Sequence, residues 1–395
     1  MERHCKMPFM PKDAPHRNPS PDAQAASREL CSRIASRIRA EGGWLSFADY
    51  MEMALYSPGL GYYAGGAHKF GVMGDFVTAP ELTPLFGQAL ARQVAQILHA
   101  VSPAPNLLEA GAGSGKLAAD LLLSLEALDA LPLRYEILEL SGELRARQRQ
   151  TIETAVPHLA DRVVWLDELP EAFIGCVIAN ELLDALPVHA VAWRESGLME
   201  RGVTLRGEGF GWAEERPAQG ALAEAMAALP VEAPFESEIG LAARAWVAEW
   251  GRRLERGALL LIDYGLPRQE LYHPLRNRGT LRCHYQQRLH DDPFWWPGLS
   301  DITAHVDFTA LAEAGFEAGL DVLGYASQAT FLINCGIGEL FTQRRSDGRT
   351  LAASGALQML LSPHEMGEMF KVLALGKAME APLMGFEHGD RTHAL

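Results

Sequence analysis

Hydrophobic positions along this chain follow two periods, and their alternation predicts an α/β protein. Leu30, Ile34 and Ile38 lie four apart, the apolar stripe of an amphipathic helix that Gly42-Gly43 ends. Ser46, with Asp49 three residues on, resembles a capping box and opens a second helix through Met53 and Leu55. A helix over Leu85 to Leu98 leads to the apolar run beginning at Asn106, read as a buried strand. Further strands are expected at 134–139, 163–166, from Cys176 to an end at Asn180-Glu181, and at 258–265, separated by helical stretches. Between about 190 and 235 the pattern shortens to alternating stretches with glycines, as in Gly202 to Trp212, which predicts an antiparallel insertion. A long polar segment from Gly279 to Pro293 is read as unstructured, with substrate contact as its expected role. A strand pair is expected near Val322 and Thr330–Ile333, and a helix from about Pro363 to Met379. The organisation that results is a tail over 1–22, rich in proline and read as disordered, and an N-terminal helical and lid segment over 23–100. A Rossmann-like half over 101–190 and an insertion with its connecting helix over 191–256 come next. The second half of the fold occupies 257–395.

Composition narrows the partners. Against 35 basic residues stand 50 acidic ones, a net charge of −15, which argues against a nucleic-acid or anionic-membrane surface and leaves room for a cationic substrate. Cys5, Cys31, Cys176, Cys283 and Cys335 are scattered, odd in number and without C-x-x-C spacing, so a reducing compartment is expected. Cys283, His284, His290, Asp291 and His305 match no metal-ligand spacing, and no metal is expected. Neither a membrane span nor a signal peptide is read from the chain.

The densest chemistry lies at Glu109-Ala110-Gly111-Ala112-Gly113-Ser114-Gly115-Lys116. Glycines at every second position between a strand and a helix let a nucleotide approach backbone, and the helix N-terminus offers unpaired N–H groups. A phosphate loop would need glycine where Ala110 stands and a hydroxyl where Leu117 stands, so that reading fails. A dinucleotide fingerprint would place a small residue at Lys116, and Glu109 would repel a pyrophosphate. The same carboxylate suits S-adenosylmethionine, whose amino-acid end carries an ammonium beside a sulfonium. Gly111, Gly113 and Gly115 are the accompanying backbone contacts. Glu139, ending the second strand roughly 25 residues past the glycines, is placed to accept the ribose hydroxyls. Leu140 follows it as a further contact, and Asp167, after the third strand, is a candidate for the adenine amino group, an ordinary helix-capping role being equally open. Asn180-Glu181-Leu182-Leu183-Asp184 closes the fourth strand, where the crevice of an open parallel sheet lies, so Asn180, Glu181 and Asp184 are the catalytic candidates. The turn-rich, aromatic stretch from Tyr56 to Gly66 leads into Gly74–Glu81, and the two are read as a lid over the site in preference to plain loops. Within the second, Thr78 and Pro80 are expected at the cofactor and Asp75 at the substrate; His305 and Asp307 are further substrate candidates.

Taken in order, Gly74–Glu81, the glycine loop, Asn180–Pro187, Ile262–Gly265 and Asp301–Phe308 resemble the MidA-type family of class I S-adenosylmethionine-dependent methyltransferases, over roughly residues 30–380. The resemblance implies a seven-stranded methyltransferase sheet with added N-terminal and inserted segments. It also implies S-adenosylmethionine held by Glu109, Gly111, Gly113 and Glu139, with the acceptor side at Asn180 to Asp184. Mitochondrial members of the family are protein-arginine methyltransferases needed to assemble respiratory complex I. An arginine-bearing protein acceptor, such as a respiratory-chain subunit, is therefore the expected partner, with a homodimer as a further possibility. The location implied is the cytoplasm in a bacterium or the mitochondrial matrix in a eukaryote. Two readings compete: a nicotinamide-dependent oxidoreductase, and a non-catalytic assembly chaperone that retains the pocket.

Overall fold

The structure, a computed structural model, describes residues 19–65, 78–101, 103–286, 288–345 and 351–395. Most of the expected tail, and Asp75 with its neighbours up to Val77, lie outside the described residues. The first helix, α1 (Pro21–Ala40), starts inside the segment read as tail. Proline at its first position and Ser20 accepting the Ala23 N–H set that start. Leu30, Ile34 and Ile38 are fully buried on its inner face. Helix α2 (Phe47–Tyr56) is capped by Ser46, whose hydroxyl accepts the Asp49 N–H at 3.0 Å. There follow a one-turn helix α3 (Ala79–Leu82) and the long α4 (Pro84–Val101).

The central sheet alternates with helices: β1 (Asn106–Ala110), α5 (Lys116–Ala127), β2 (Tyr135–Leu138), α6 (Gly142–Ala155), β3 (Val163–Leu166) and β4 (Phe173–Asn180). After the insertion come α7 (Leu241–Arg253), β5 (Leu254–Leu266), α8 (Phe308–Glu317), β6 (Asp321–Ser327), α9 (Gln328–Asn334) and β7 (Phe370–Lys377). Seven strands pair in the order β6-β7-β5-β4-β1-β2-β3, with the short strand Val306–Asp307 added to the end of β5. Strands β1 to β5 run parallel, while β7 is antiparallel to both its neighbours. The order reverses at the β1/β4 junction, so a crevice opens there beyond the strands' carboxyl ends. Two apolar cores flank the sheet, one under α4 and α5 and the other under α7 and α8.

The insertion is antiparallel, as its alternation implied. Strands at His189–Arg194, Gly197–Glu200 and Phe235–Ile239 form one sheet with Arg216–Pro217, while Gly202–Arg206 and Gly209–Trp212 form another with Leu45–Ser46.

Three sequence expectations are corrected. Thr330–Ile333 is helical, not a strand: Ser327 caps α9 through the Thr330 N–H, and Phe331, Leu332 and Cys335 fall on one buried face. The partner of β6 is instead β7, within the stretch expected to be a helix up to Met379. Val372 to Leu375 are buried on both faces, and an apolar run without a polar stripe carries no period by which to tell strand from helix. The polar segment after Gly279 is not structureless. Arg282–Tyr285 pairs with Arg288–His290 and with Asp301–Thr303, its residues alternating between half-buried and buried.

Leu373 tests the β7 assignment. It is fully buried in the core beneath α8. Leu373→Ala should lower unfolding stability by about 2–5 kcal/mol in urea titrations, whereas a loss under about 1 kcal/mol would contradict its burial.

Candidate functional site

A cavity of about 630 Å³ opens at the β1/β4 crevice, within the range usual for small-molecule sites. The glycine loop forms its floor. Gly111, Gly113 and Gly115 adopt φ of 71°, 51° and 83°, conformations that cost other residues about 1 kcal/mol or more. A Cβ on Gly115 would also stand 2.8 Å from the Gln148 Cα, so the loop packs against α6 only without a side chain there. Lys116 turns away to Asp120, 2.6 Å distant, and is not offered to a phosphate.

Among the described residues, every ionisable group lining the cavity is a carboxyl or a tyrosine: Glu81, Glu109, Glu139, Asp167, Glu168 and Glu181, with Tyr56 and Tyr63. Glu109 is almost wholly buried on β1 and accepts the Tyr135 hydroxyl at 2.6 Å. Burial pushes its pKa up to about 7, and the Tyr135 hydrogen bond only partly counters that. Glu139 accepts the Ser141 N–H at 2.9 Å and the Gln148 amide at 3.0 Å; burial raises its pKa too. Glu136, the other acidic residue of β2, instead accepts the Asn106 amide and does not line the cavity.

Glu181 sits just past β4 with φ of 52°, a left-handed conformation unusual for a side-chain-bearing residue and typical of strained functional positions. Its amide donates to the Ile262 carbonyl at 2.9 Å, which locks that backbone. The carboxyl accepts the Ala79 N–H at 3.2 Å and the Asn180 amide at 3.3 Å. Burial, followed by the charge of Asp184, drives its pKa up to about 8. Beside it the Asn180 Oδ1 is buried and has no hydrogen-bond donor among the described residues. Glu181 and Asn180 thus form a corner of acceptors lacking a cation.

The other candidates separate into two groups. Thr78, Pro80, Leu140 and Asp167 join the cavity lining, Leu140 as an exposed lip and Asp167 paired with Arg145 at 2.8 Å. Asp184, His305 and Asp307 do not line it. Asp184 is buried against Tyr264, whose hydroxyl it accepts, and its backbone N–H donates to Asp263 at 3.2 Å. It therefore faces Asp263 and Tyr264 and is not the expected partner of Glu181 in gripping a substrate. Asp307 caps α8 through the Ala310 N–H at 2.9 Å. His305 packs edge-on against Tyr264, and burial lowers its pKa to about 4, so it is neutral.

Several site residues carried little signal. Gln148, fully buried on α6, donates to Gly113 O at 3.1 Å and to Glu139, and accepts the Trp165 indole N–H at 3.0 Å. A glutamine in a polar helix looks like any surface residue. Trp246 reaches the cavity from the helix after the insertion, far away in sequence. Tyr56 and Tyr63 lay in the aromatic turn-rich stretch, and Glu81, which accepts the Ser114 hydroxyl, lay in the Gly74–Glu81 motif; these could have been named.

Comparison with known proteins agrees with this geometry. Residues 89–326 match a family of S-adenosyl-L-methionine-dependent methyltransferases. A superfamily member from Burkholderia thailandensis, crystallised bound to S-adenosyl-homocysteine, is 49% identical and superposes with a TM-score of 0.92 over 96% of this chain and 100% of that one. The mitochondrial protein arginine methyltransferase NDUFAF7 of Mus musculus is 30% identical, covering 88% of this chain and 84% of its own length. The homologue from Drosophila melanogaster is 29% identical over 95% of this chain and 92% of its own. The chain belongs to this family of methyltransferases, and S-adenosylmethionine is its cofactor.

Proposed function

We propose that the chain transfers the methyl group of S-adenosylmethionine to a guanidinium nitrogen of arginine in a protein acceptor. The observation that carries this reading is the buried acceptor corner of Glu181 and Asn180. Two lone-pair-bearing groups without a matching cation fit a planar, donor-only guanidinium. The relatives named as protein arginine methyltransferases support the same acceptor.

The lining fits the cofactor. Glu109 would face its ammonium, with Gly111 and Gly113 along the amino-acid end, and Glu139 would accept the ribose hydroxyls; Gly115 does not line the cavity and serves the loop by packing against Gln148. Leu140 and Asp167 would border the adenine, and Thr78 and Pro80 would cover the site. When bound, S-adenosylmethionine supplies a methyl activated by the adjacent sulfonium. The chain's own contribution is positioning in a site sheltered from water. Glu181, ionised on meeting a cation, would grip one edge of the guanidinium and draw positive charge toward it, leaving another nitrogen more nucleophilic. The Asn180 Oδ1 would accept a second N–H. Asp184, with Asp263, would position this loop, since Asp263 accepts both the Leu183 and Asp184 N–H groups.

Glu181→Gln should lower turnover by roughly a hundredfold or more while cofactor affinity changes little, the order expected for one positioned charged contact. Normal methylation of a protein acceptor by this variant would remove Glu181 from the reaction. Gln148→Ala should weaken cofactor binding roughly tenfold in calorimetry, because the glycine loop and Glu139 lose a shared donor. Cofactor affinity should also depend on pH. Below about pH 7 Glu109 is protonated in the free protein and must release a proton to meet the ammonium. Affinity should therefore fall as pH drops below about 7, and Glu109→Gln should flatten that limb of the profile. A wild-type profile level from pH 6 to 8 would mean that Glu109 does not meet the ammonium.

A further inference from the structure

Tyr56 and Tyr63 are unaccounted for by cofactor binding or by the acceptor corner, yet both line the cavity. Their rings stack nearly parallel, 22° apart with centroids at 5.5 Å. Each hydroxyl proton is already committed: Tyr56 donates to the Ala185 carbonyl at 3.0 Å and Tyr63 to Asp301 at 2.9 Å. Burial, reinforced by the charge of Asp301, raises both phenols further above their ordinary range, so they remain neutral. Ala185 lies four residues after Glu181 on the same loop, and Asp301 stands on the separate strand Asp301–Thr303. The stacked pair is thus pinned on one side to the loop carrying the acceptor corner and on the other to a different sheet.

We infer that Tyr56 and Tyr63 form the wall that selects arginine as the acceptor, with Asp301 as the positioning residue that holds Tyr63. This rests on the arginine reading above and names its specificity element. A wall whose hydroxyl protons are spent presents ring surface to the cavity. That surface attracts a cation and gives a neutral donor-poor side chain no comparable gain. Between the two natural cations it favours the planar one. A guanidinium can lie flat along stacked rings while its edge meets Glu181 and Asn180, whereas an ammonium is compact, more strongly hydrated and has no plane to align. Asp301 is 2% exposed and contributes to the negative surroundings of Glu181, so the element that fixes the wall also favours a cation beside it.

The test uses the full chain saturated with S-adenosyl-homocysteine and titrated with N-acetyl-arginine amide or N-acetyl-lysine amide. The wild type should bind the arginine probe roughly tenfold more tightly than the lysine probe. Tyr56→Leu and Tyr63→Leu should each erase most of that preference, while the affinity for S-adenosyl-homocysteine, which also reports folding, stays within about twofold. Asp301→Asn should weaken arginine binding more in the wild type than in a Tyr63→Phe background, since the part of its effect exerted through the tyrosine hydroxyl is lost there while its charge acts in both. Unchanged preference in both leucine variants would overturn the inference, as would a parallel loss of S-adenosyl-homocysteine, which would make the wall part of the cofactor site. An equal effect of Asp301→Asn in both backgrounds would overturn its positioning role. A wild type that binds S-adenosyl-homocysteine but prefers neither probe would instead defeat the arginine reading itself, and this inference with it.

Discussion

A cavity whose described ionisable side chains carry charge of one sign only is the constraint on which the site depends. Five glutamates and an aspartate line it, without a lysine, arginine or histidine among the described residues. Burying carboxyls without counter-ions is unfavourable, and the protein responds as physics requires: Glu109 and Glu181 have pKa values near or above neutrality. The two lie at separate strand ends, β1 and β4, on either side of the point where strand order reverses. Each is restrained by neutral donors only, Tyr135 for the first and the Ala79 N–H and Asn180 for the second. Neutral donors fix the carboxyls in place without neutralising them, so the charge compensation is left to the ligands. A cofactor with an ammonium and a sulfonium, and an acceptor with a guanidinium, are both cations. The site is therefore complementary to its ligands by what it withholds.

Holding the carboxyls apart is the work of the fold. Parallel strands β1 and β4 diverge into loops at their carboxyl ends, and each loop is tied to a neighbour that is remote in sequence. Gln148 binds the glycine loop to Glu139 and to Trp165 on β3. Asp263 at the end of β5 accepts the N–H groups of Leu183 and Asp184, and the Ile262 carbonyl holds the strained backbone of Glu181. The strain at Glu181 persists because these contacts over-determine the loop.

Much of this was legible in the sequence, and the pattern of success has a physical reason. Gly111, Gly113, Glu109, Glu139, Asn180 and Glu181 occupy short local motifs whose geometry follows from a strand meeting a turn, and all of them line one cavity, whereas Gly115 packs against Gln148 instead. What escaped was non-local. Gln148 sits in a largely polar helix, on the one face where Leu144 and Ile152 are also buried, and its partners Gly113, Glu139 and Trp165 come from three other segments. Asp184 read as a second gripping carboxyl because spacing counts residues along a chain but does not say which neighbour a side chain meets. Here β5 brings Asp263 and Tyr264 to it. The C-terminal errors were of another kind. β7 is covered on both faces, so its apolar run shows no alternation, and α9 was read as strand because its β-branched and aromatic residues outweighed the cap at Ser327.

The aromatic stretch shows how far local reading extends. Its glycines and tyrosines were read as a lid because turns and rings before a nucleotide fold suggest a cover. The described residues give part of it a different character. Tyr56 ends a regular helix, and Tyr63 is hydrogen-bonded to a strand of another sheet, so these two rings are parts of a tethered wall. A wall held at both hydroxyls cannot adapt to many acceptors. It loses breadth and gains discrimination, since a rigid π surface next to an unneutralised carboxyl rewards only a flat cation. Specificity in this chain then requires no base to remove a proton before binding and no charged residue to repel competitors. It follows from placing neutral, tethered rings beside Glu181, whose carboxyl meets only neutral donors among the described residues.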